Sequence, residues 1–150
     1  MNMDFAQALW ELGLLGVERL PEIALQALEA GVDSPALRML AGLMGSEREE
    51  ASKIFKQALK ELRLPELSRQ SAARVYAIEI SKQILNGEIS PQDGANKLWA
   101  ASIQVKDPDF HELDHFIYAA SELESRPEDK DFFNAAILKE AQMWASKAQP

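Results

Sequence analysis

The sequence predicts an all-α protein, an irregular bundle of seven or eight helices with short loops. Three observations carry that expectation. Strand-favouring Val and Thr are scarce, with four Val and no Thr in 150 residues. Ala, Leu, Glu, Lys and Gln dominate, and these are good helix formers. Apolar residues recur at three-four spacing between stop signals set by Gly, Pro and Ser-Pro.

The first helix is expected from Asp4 to Leu15, with Phe5, Leu9, Leu12 and Leu15 on one stripe and Gly13 and Gly16 weakening its end. The second opens at Pro21 and closes at Gly31, burying Ile23, Ala24, Ala27 and Leu28. Ser34 as N-cap with Pro35 at the first position opens the third, followed by Leu37, Leu40 and Leu43. The fourth starts at Ser46, with Glu49 at capping-box spacing, and runs to about Leu64, where Pro65 stops it. Its stripe is Ile54, Phe55, Ala58, Leu59 and Leu62, and its other face alternates in charge. The fifth runs from near Ser68 to Asn86-Gly87 and buries Ala73, Tyr76, Ala77, Ile80 and Ile84. Ser90-Pro91 opens the sixth, which carries Ala95, Leu98, Trp99 and Ile103. The seventh is expected from Asp107-Pro108 to about Glu124. The eighth runs from near Pro127 to Ser146, with Phe133, Ile137, Ala141 and Trp144 on one face.

No linker or low-complexity run interrupts this series, so residues 1–150 are expected to form one domain, which the long fourth helix divides at most into two sub-bundles. Leu28 to Pro35 and Ile84 to Pro91 share one punctuation: a helix end, a Gly, two residues, then Ser-Pro. That is ordinary helix-turn-helix grammar, and two copies fall short of a repeat array. The first basic residue is Arg19, acids interrupt the early apolar run, and no stretch approaches the roughly 18 apolar residues of a membrane span. The expected compartment is the cytoplasm. The absence of Cys excludes disulfides, thiolate catalysis and Cys-ligated zinc.

One motif has a catalytic look. His111-Glu112-Leu113-Asp114-His115 matches H-E-x-x-H, and both histidines of the chain fall in it. On a helix, imidazoles at i and i+4 share a face and can hold zinc, while the intervening Glu deprotonates a bound water. A zinc-dependent hydrolase using His111 and His115 as ligands and Glu112 as base is therefore the alternative function. Asp114 departs from the uncharged residues usual before the second His. Tyr118 and Ser121 stand where an extended motif has Gly and a third His. A carboxylate ligand would have to come from Glu128, Asp131 or Glu140. On a wheel drawn from Phe110 at about 100° per residue, Leu113, Phe116, Ile117, Ala120 and Leu123 gather on one side. His111, His115 and Glu122 fall almost opposite, which reads as a solvated acidic face. There is no Gly-rich phosphate loop, nucleophile elbow or catalytic triad, and no cofactor is expected.

Charge is the stronger signal. Sixteen Lys and Arg against twenty-four Asp and Glu give a net −8, which disfavours nucleic-acid binding. Nine acids against two bases put −7 of this into residues 107–131, leaving 15 acids and 14 bases elsewhere. Asp107, Asp109, Glu128 and Asp129 are expected in first helical turns, where the helix dipole favours acids. Glu112, Asp114, Glu122 and Glu124 lack that reason. A solvated face is the plain account, and an acidic docking surface for a basic protein is the functional one. Its expected contacts are Asp109, Glu112, Asp114, His115 and Glu122. The tryptophans Trp10, Trp99 and Trp144 sit at stripe positions and read as packing residues. Met39 and Met44 flank Leu40 and Leu43, so the third helix is expected to be buried nearly all round, or else to meet a partner by its second face.

The stretches Leu20 to Arg38 and Ile84 to Ala95 resemble small all-helical bacterial proteins of unassigned activity, over about a quarter of the chain. Some acidic proteins of that kind are immunity partners of toxins, so the resemblance implies a non-enzymatic, inhibitor-like binding partner and carries over no catalytic residue. The expected function is thus a non-enzymatic cytosolic protein-binding module. A helical scaffold self-associating through the third helix is a third reading, and the sequence leaves oligomeric state open.

Overall fold

A computed structural model describes residues 1–43 and 47–147, with Arg48 described by its backbone alone. Among these residues there are eight α-helices and no strand. They group into two compact units, Met1–Ser68 and Arg69–Pro150.

In the first unit, α1 spans Met3–Glu11 and starts where the Asn2 side chain accepts the Phe5 N–H. It stops at Gly13, whose φ of +70° is a left-handed conformation that glycine adopts without strain. The expected extension to Leu15 is therefore absent, although Leu12 and Leu15 are still buried. A 3-10 turn, Val17–Arg19, leads into α2, Leu20–Glu29. Gly31 and Ser34 then set up α3, Pro35–Ala41, with the Ser34 hydroxyl accepting the Leu37 N–H. This helix is only seven residues long. It buries Ala36, Leu37 and Leu40 against α2 and α4 but leaves Met39 exposed, so it is not buried all round as its composition suggested. Met44 and the expected cap Ser46 lie outside the described residues.

The next helix, α4, spans Arg48–Glu61 and buries Ala51, Phe55, Ala58 and Leu59. It ends before Leu64 because Arg63 turns left-handed and the Leu64 N–H donates back to the Leu59 carbonyl. The Glu61 carboxylate accepts the Ala36 N–H at 2.8 Å, capping α3 from a neighbouring helix and holding its own pKa below the usual range. Trp10 meets Phe55 edge to face, and Gln7 donates to the Pro65 carbonyl, so α1 is tied both to α4 and to the segment after it.

The second unit holds α5 (Arg69–Leu85), α6 (Pro91–Val105), α7 (Asp114–Ser125) and α8 (Lys130–Ser146). The expected stripes of α5 and α8 are all buried: Ala73, Tyr76, Ala77, Ile80 and Ile84 on one, Phe133, Ile137, Ala141 and Trp144 on the other. Gly87 ends the α5 segment, and Ser90 caps α6 by accepting the Asp93 N–H, in the same grammar that separates α2 from α3. Of the α6 set, Ala95 and Leu98 are buried and Trp99 half-buried, but Ile103 is exposed, contrary to expectation. The Lys106 backbone turns left-handed there and closes α6. Among the described residues no helix is long and apolar enough to cross a membrane.

Two packing details of the second unit make predictions. A Cβ placed on Gly94 would lie 2.4 Å from Cδ1 of Ile84, a buried and β-branched side chain with little room to move. Gly94→Ala should therefore destabilise by about 1–3 kcal/mol in urea titration, the usual cost of overpacking. Ser81 is fully buried on α5, and its hydroxyl has no hydrogen-bond partner among the described residues. Ser81→Ala should be neutral or stabilising by up to about 1 kcal/mol, because it removes a desolvated polar group.

Candidate interaction surface

Of the candidate residues, Asp114, His115 and Glu122 lie in α7, whereas Asp109, His111 and Glu112 fall in the segment between α6 and α7. That segment is not helix. Asp107 folds back so that its carboxylate accepts the Asp109 N–H at 3.0 Å. The Phe110 N–H then donates to the Asp107 carbonyl and the Asp114 N–H to the His111 carbonyl, making two successive turns. An aspartate that captures the N–H two residues on favours a turn over helix initiation. The seventh helix consequently begins at Asp114 rather than Asp107. Asp107 and Asp109 lie outside any helical first turn, and Asp114 is the acid that occupies one.

Three residues on the first turns of α5 hold this segment in place. The Arg69 guanidinium donates to the Gln104 carbonyl, the Gln70 amide to the Asp107 carboxylate at 2.9 Å, and Arg74 grips Glu112 with both Nε and Nη2, the shorter contact being 2.6 Å. Such a fork is the strong form of a charge-assisted hydrogen bond. Arg74 holds the Glu112 carboxyl below the usual range, and Gln70 with the Asp109 N–H does the same for Asp107. Leu113 is fully buried just beyond the grip.

This arrangement separates the H-E-x-x-H residues. His111 lies in the turn before α7 and His115 lies inside it, so the two imidazoles do not have the i,i+4 placement on one helix that the motif implies. Both are exposed. His111 Nδ1 lies 3.1 Å from the Asp114 carboxylate, while Glu112, the residue cast as general base, is occupied by Arg74. Among the described residues no three His, Asp or Glu side chains converge on a common point that could hold a metal ion.

Of the five residues expected to contact a partner, Asp109, Asp114 and His115 are exposed, as is Glu112 at the outer side of its grip. Glu122 is half-buried and accepts from Arg126, which also pairs with Asp129. Arg126 in turn lies over the Phe133 ring, with its guanidinium carbon 5.3 Å from the centroid.

A feature the sequence reading did not single out adjoins His115. Between α7 and α8 runs a groove of about 430 Å³ whose lining includes His115, Tyr118, Phe132, Lys139, Glu140 and Met143. Tyr118 is 61% exposed, Phe132 70% and Met143 53%. The sequence held a signal for it: Phe132 falls off the buried stripe that Phe133 begins. A second concavity of about 420 Å³ lies in the first unit beside Trp10, where Lys56 and Lys60 face Glu11 and Glu66. Its two bases and two acids balance in charge.

No family model, curated protein or solved structure matches the chain.

The grip on residues 107–113 should depend on pH with a definite sign. Lowered folded-state pKa values mean that Glu112 and Asp107 contribute stability above the ordinary carboxylate range and lose it as pH falls through their folded values. In amide NMR spectra, signals of residues 107–113 should move together as pH drops below the ordinary glutamate value of 4.5. Arg74→Gln should loosen the same segment already at neutral pH. Identical spectra for the variant and the wild type at neutral pH would show that the ion pair does not hold it.

Proposed function

We propose that this chain is a non-enzymatic, cytosolic protein-binding module that docks a basic protein through the acidic surface of residues 107–131. The observation behind it is the charge that survives internal pairing. Arg126 and Lys130 already enter the segment's −7, and Arg74, which grips Glu112, together with Lys147, whose charge also acts on Glu112, brings it to −5. Asp109, Asp114 and Asp131 remain exposed carboxylates. A predominantly acidic surface of this kind steers an oppositely charged partner and speeds encounter, within a Debye length of about 8 Å at physiological salt. An inhibitor or immunity-type role is the form this reading takes, with the partner's basic surface as the part that is covered. His115 sits at the edge of the same surface, and Glu112 serves it mainly by fixing the turn on which Asp109 stands.

The structure guides the choice of variant. Glu112→Lys would set like charges against Arg74 and disturb the turn, so the informative set is Asp109→Lys, Asp114→Lys and Asp131→Lys. In affinity capture from host lysate at low salt, the wild type should retain a basic protein that added salt releases, and the folded triple variant should lose it. Equal retention by both would overturn the proposal.

A further inference from the structure

We propose that the groove between α7 and α8 receives an amphipathic helix of the partner, whose apolar stripe seats between Tyr118, Phe132 and Met143 and whose basic residues meet the surrounding carboxylates. The inference rests on the acidic-docking reading and adds what that reading lacks, an apolar anchor. Charge complementarity sets rate and register, whereas desolvated aromatic contacts carry most of the affinity at interfaces.

The groove has the build of a helix receptor. Its lining sets the small residues Ala119, which is buried, and Ala136 among large ones. Small residues let the ridge of an incoming helix approach closely. Phe133 is 2% exposed and braces the walls: Tyr118 meets its ring edge-on with centroids 6.2 Å apart, and Phe132 does so at 5.1 Å. Each exposed ring thus has one edge against a buried ring, which reduces the ordering cost of binding. Along α8, the lining extends from Phe132 to Met143. At 1.5 Å per residue that is about 16 Å, or three helical turns, the span of anchors at i, i+4, i+7 and i+11.

The charges around the groove select the occupant. Asp114 immediately precedes His115 and Asp131 immediately precedes Phe132, so each wall opens with an exposed carboxylate. Lys139 and Glu140 offset each other within the lining. Arg126 is already committed to Glu122 and Asp129. A second copy of this chain would bring one acidic segment against another, and an anionic lipid surface would be repelled in the same way. A helix with Lys or Arg flanking its apolar stripe meets both requirements.

The test uses the full chain and three synthetic peptides, each about 15 residues long, the length of roughly four turns. They share a Leu-Phe stripe and carry Lys and Arg, Gln, or Glu at the flanks. Binding is followed by amide NMR. The basic-flanked peptide should bind at least about tenfold more tightly than the Gln-flanked one, a difference of about 1.4 kcal/mol. Its shifts should centre on His115, Tyr118, Phe132 and Met143. The double variant Tyr118→Ser, Phe132→Ser should lose at least tenfold in affinity while its spectrum stays folded, because both side chains are already exposed to water. Equal affinity for the three peptides, shifts centred elsewhere, or an unaffected double variant would overturn the proposal. So would a concentration-dependent dimer, or binding to phosphatidylcholine–phosphatidylglycerol vesicles, that the double variant abolishes. Lysate capture separates this inference from the reading beneath it. If the double Ser variant retains the basic protein and the triple Lys variant loses it, the groove assignment fails and the acidic surface stands. If both variants retain it, both fail.

Discussion

The second unit depends on one helix satisfying two neighbours at once. The face that α5 gives to α6 and the face that it gives to α8 are both apolar, and both are close. That is why its buried residues are mostly small, with Ala72, Ala73, Ala77 and Ser81 beside Tyr76, Ile80 and Ile84. A helix wedged between two others leaves little space for side chains on either side, and interiors are packed too densely to absorb a surplus. Gly94 on α6 belongs to the same constraint: it is a glycine because the Ile84 side chain occupies the place where a Cβ would stand. What remains of α5 for polar work is its opening turns. From there Arg69 reaches the last turn of α6, and Gln70 and Arg74 reach the segment that joins α6 to α7.

That division of labour connects the core to the surface. Arg74 closes a turn whose outer side displays Asp109, and the turn delivers Leu113 to the interior just before α7 begins. An exposed ion pair taken alone contributes little stability. Here the pair fixes where exposed carboxylates stand and where the α7 wall of the groove starts, so its effect is on geometry more than on the free energy of folding. Several acids that look gratuitous in the sequence have such local roles. Glu112 answers Arg74, Glu122 and Asp129 share Arg126, and Asp107 caps a turn. These roles account for the placement of the acids and leave the sign of the surface unchanged.

The sequence was most legible where local rules act alone. Ser34-Pro35 and Ser90-Pro91 open helices because an N-cap and its proline act within four residues, and both hydroxyls accept the expected N–H. The eight helices, and the stripe from Phe133 to Trp144, follow from periodicity in the same way. Legibility ended where one signal had two meanings. Asp-Pro can start a helix or a turn, and at Asp107 the choice is made by Gln70 and Arg74, which lie more than thirty positions earlier in the chain. Moving the start of the helix to Asp114 also removed the basis for placing His111 on the same wheel as His115. Ile103 and Met39 failed for a related reason: periodicity identifies an apolar position but not whether a neighbour arrives to cover it. The groove needed two helices together, since neither Tyr118 nor Phe132 forms a surface alone.

The order of contacts differs between the two units in a way that bears on how each acquires its structure. In the first, α2 packs on α3 and α3 on α4, each pair adjacent in sequence. In the second, α5 must close on α8 across the whole of α6 and α7. Chain entropy opposes that closure until non-local contacts reward it, and such pairings slow folding. Within the first unit the run α2–α4 can build by successive neighbours, while α1 returns to α4 and Pro65 across it. The second unit closes as a ring through α5 and α8, and α8 is the wall that carries Phe132 and Met143. Until that closure, these side chains and the buried stripe beside them are exposed together, so the surface proposed for recognition is also the one most prone to wrong contacts on the newly made chain.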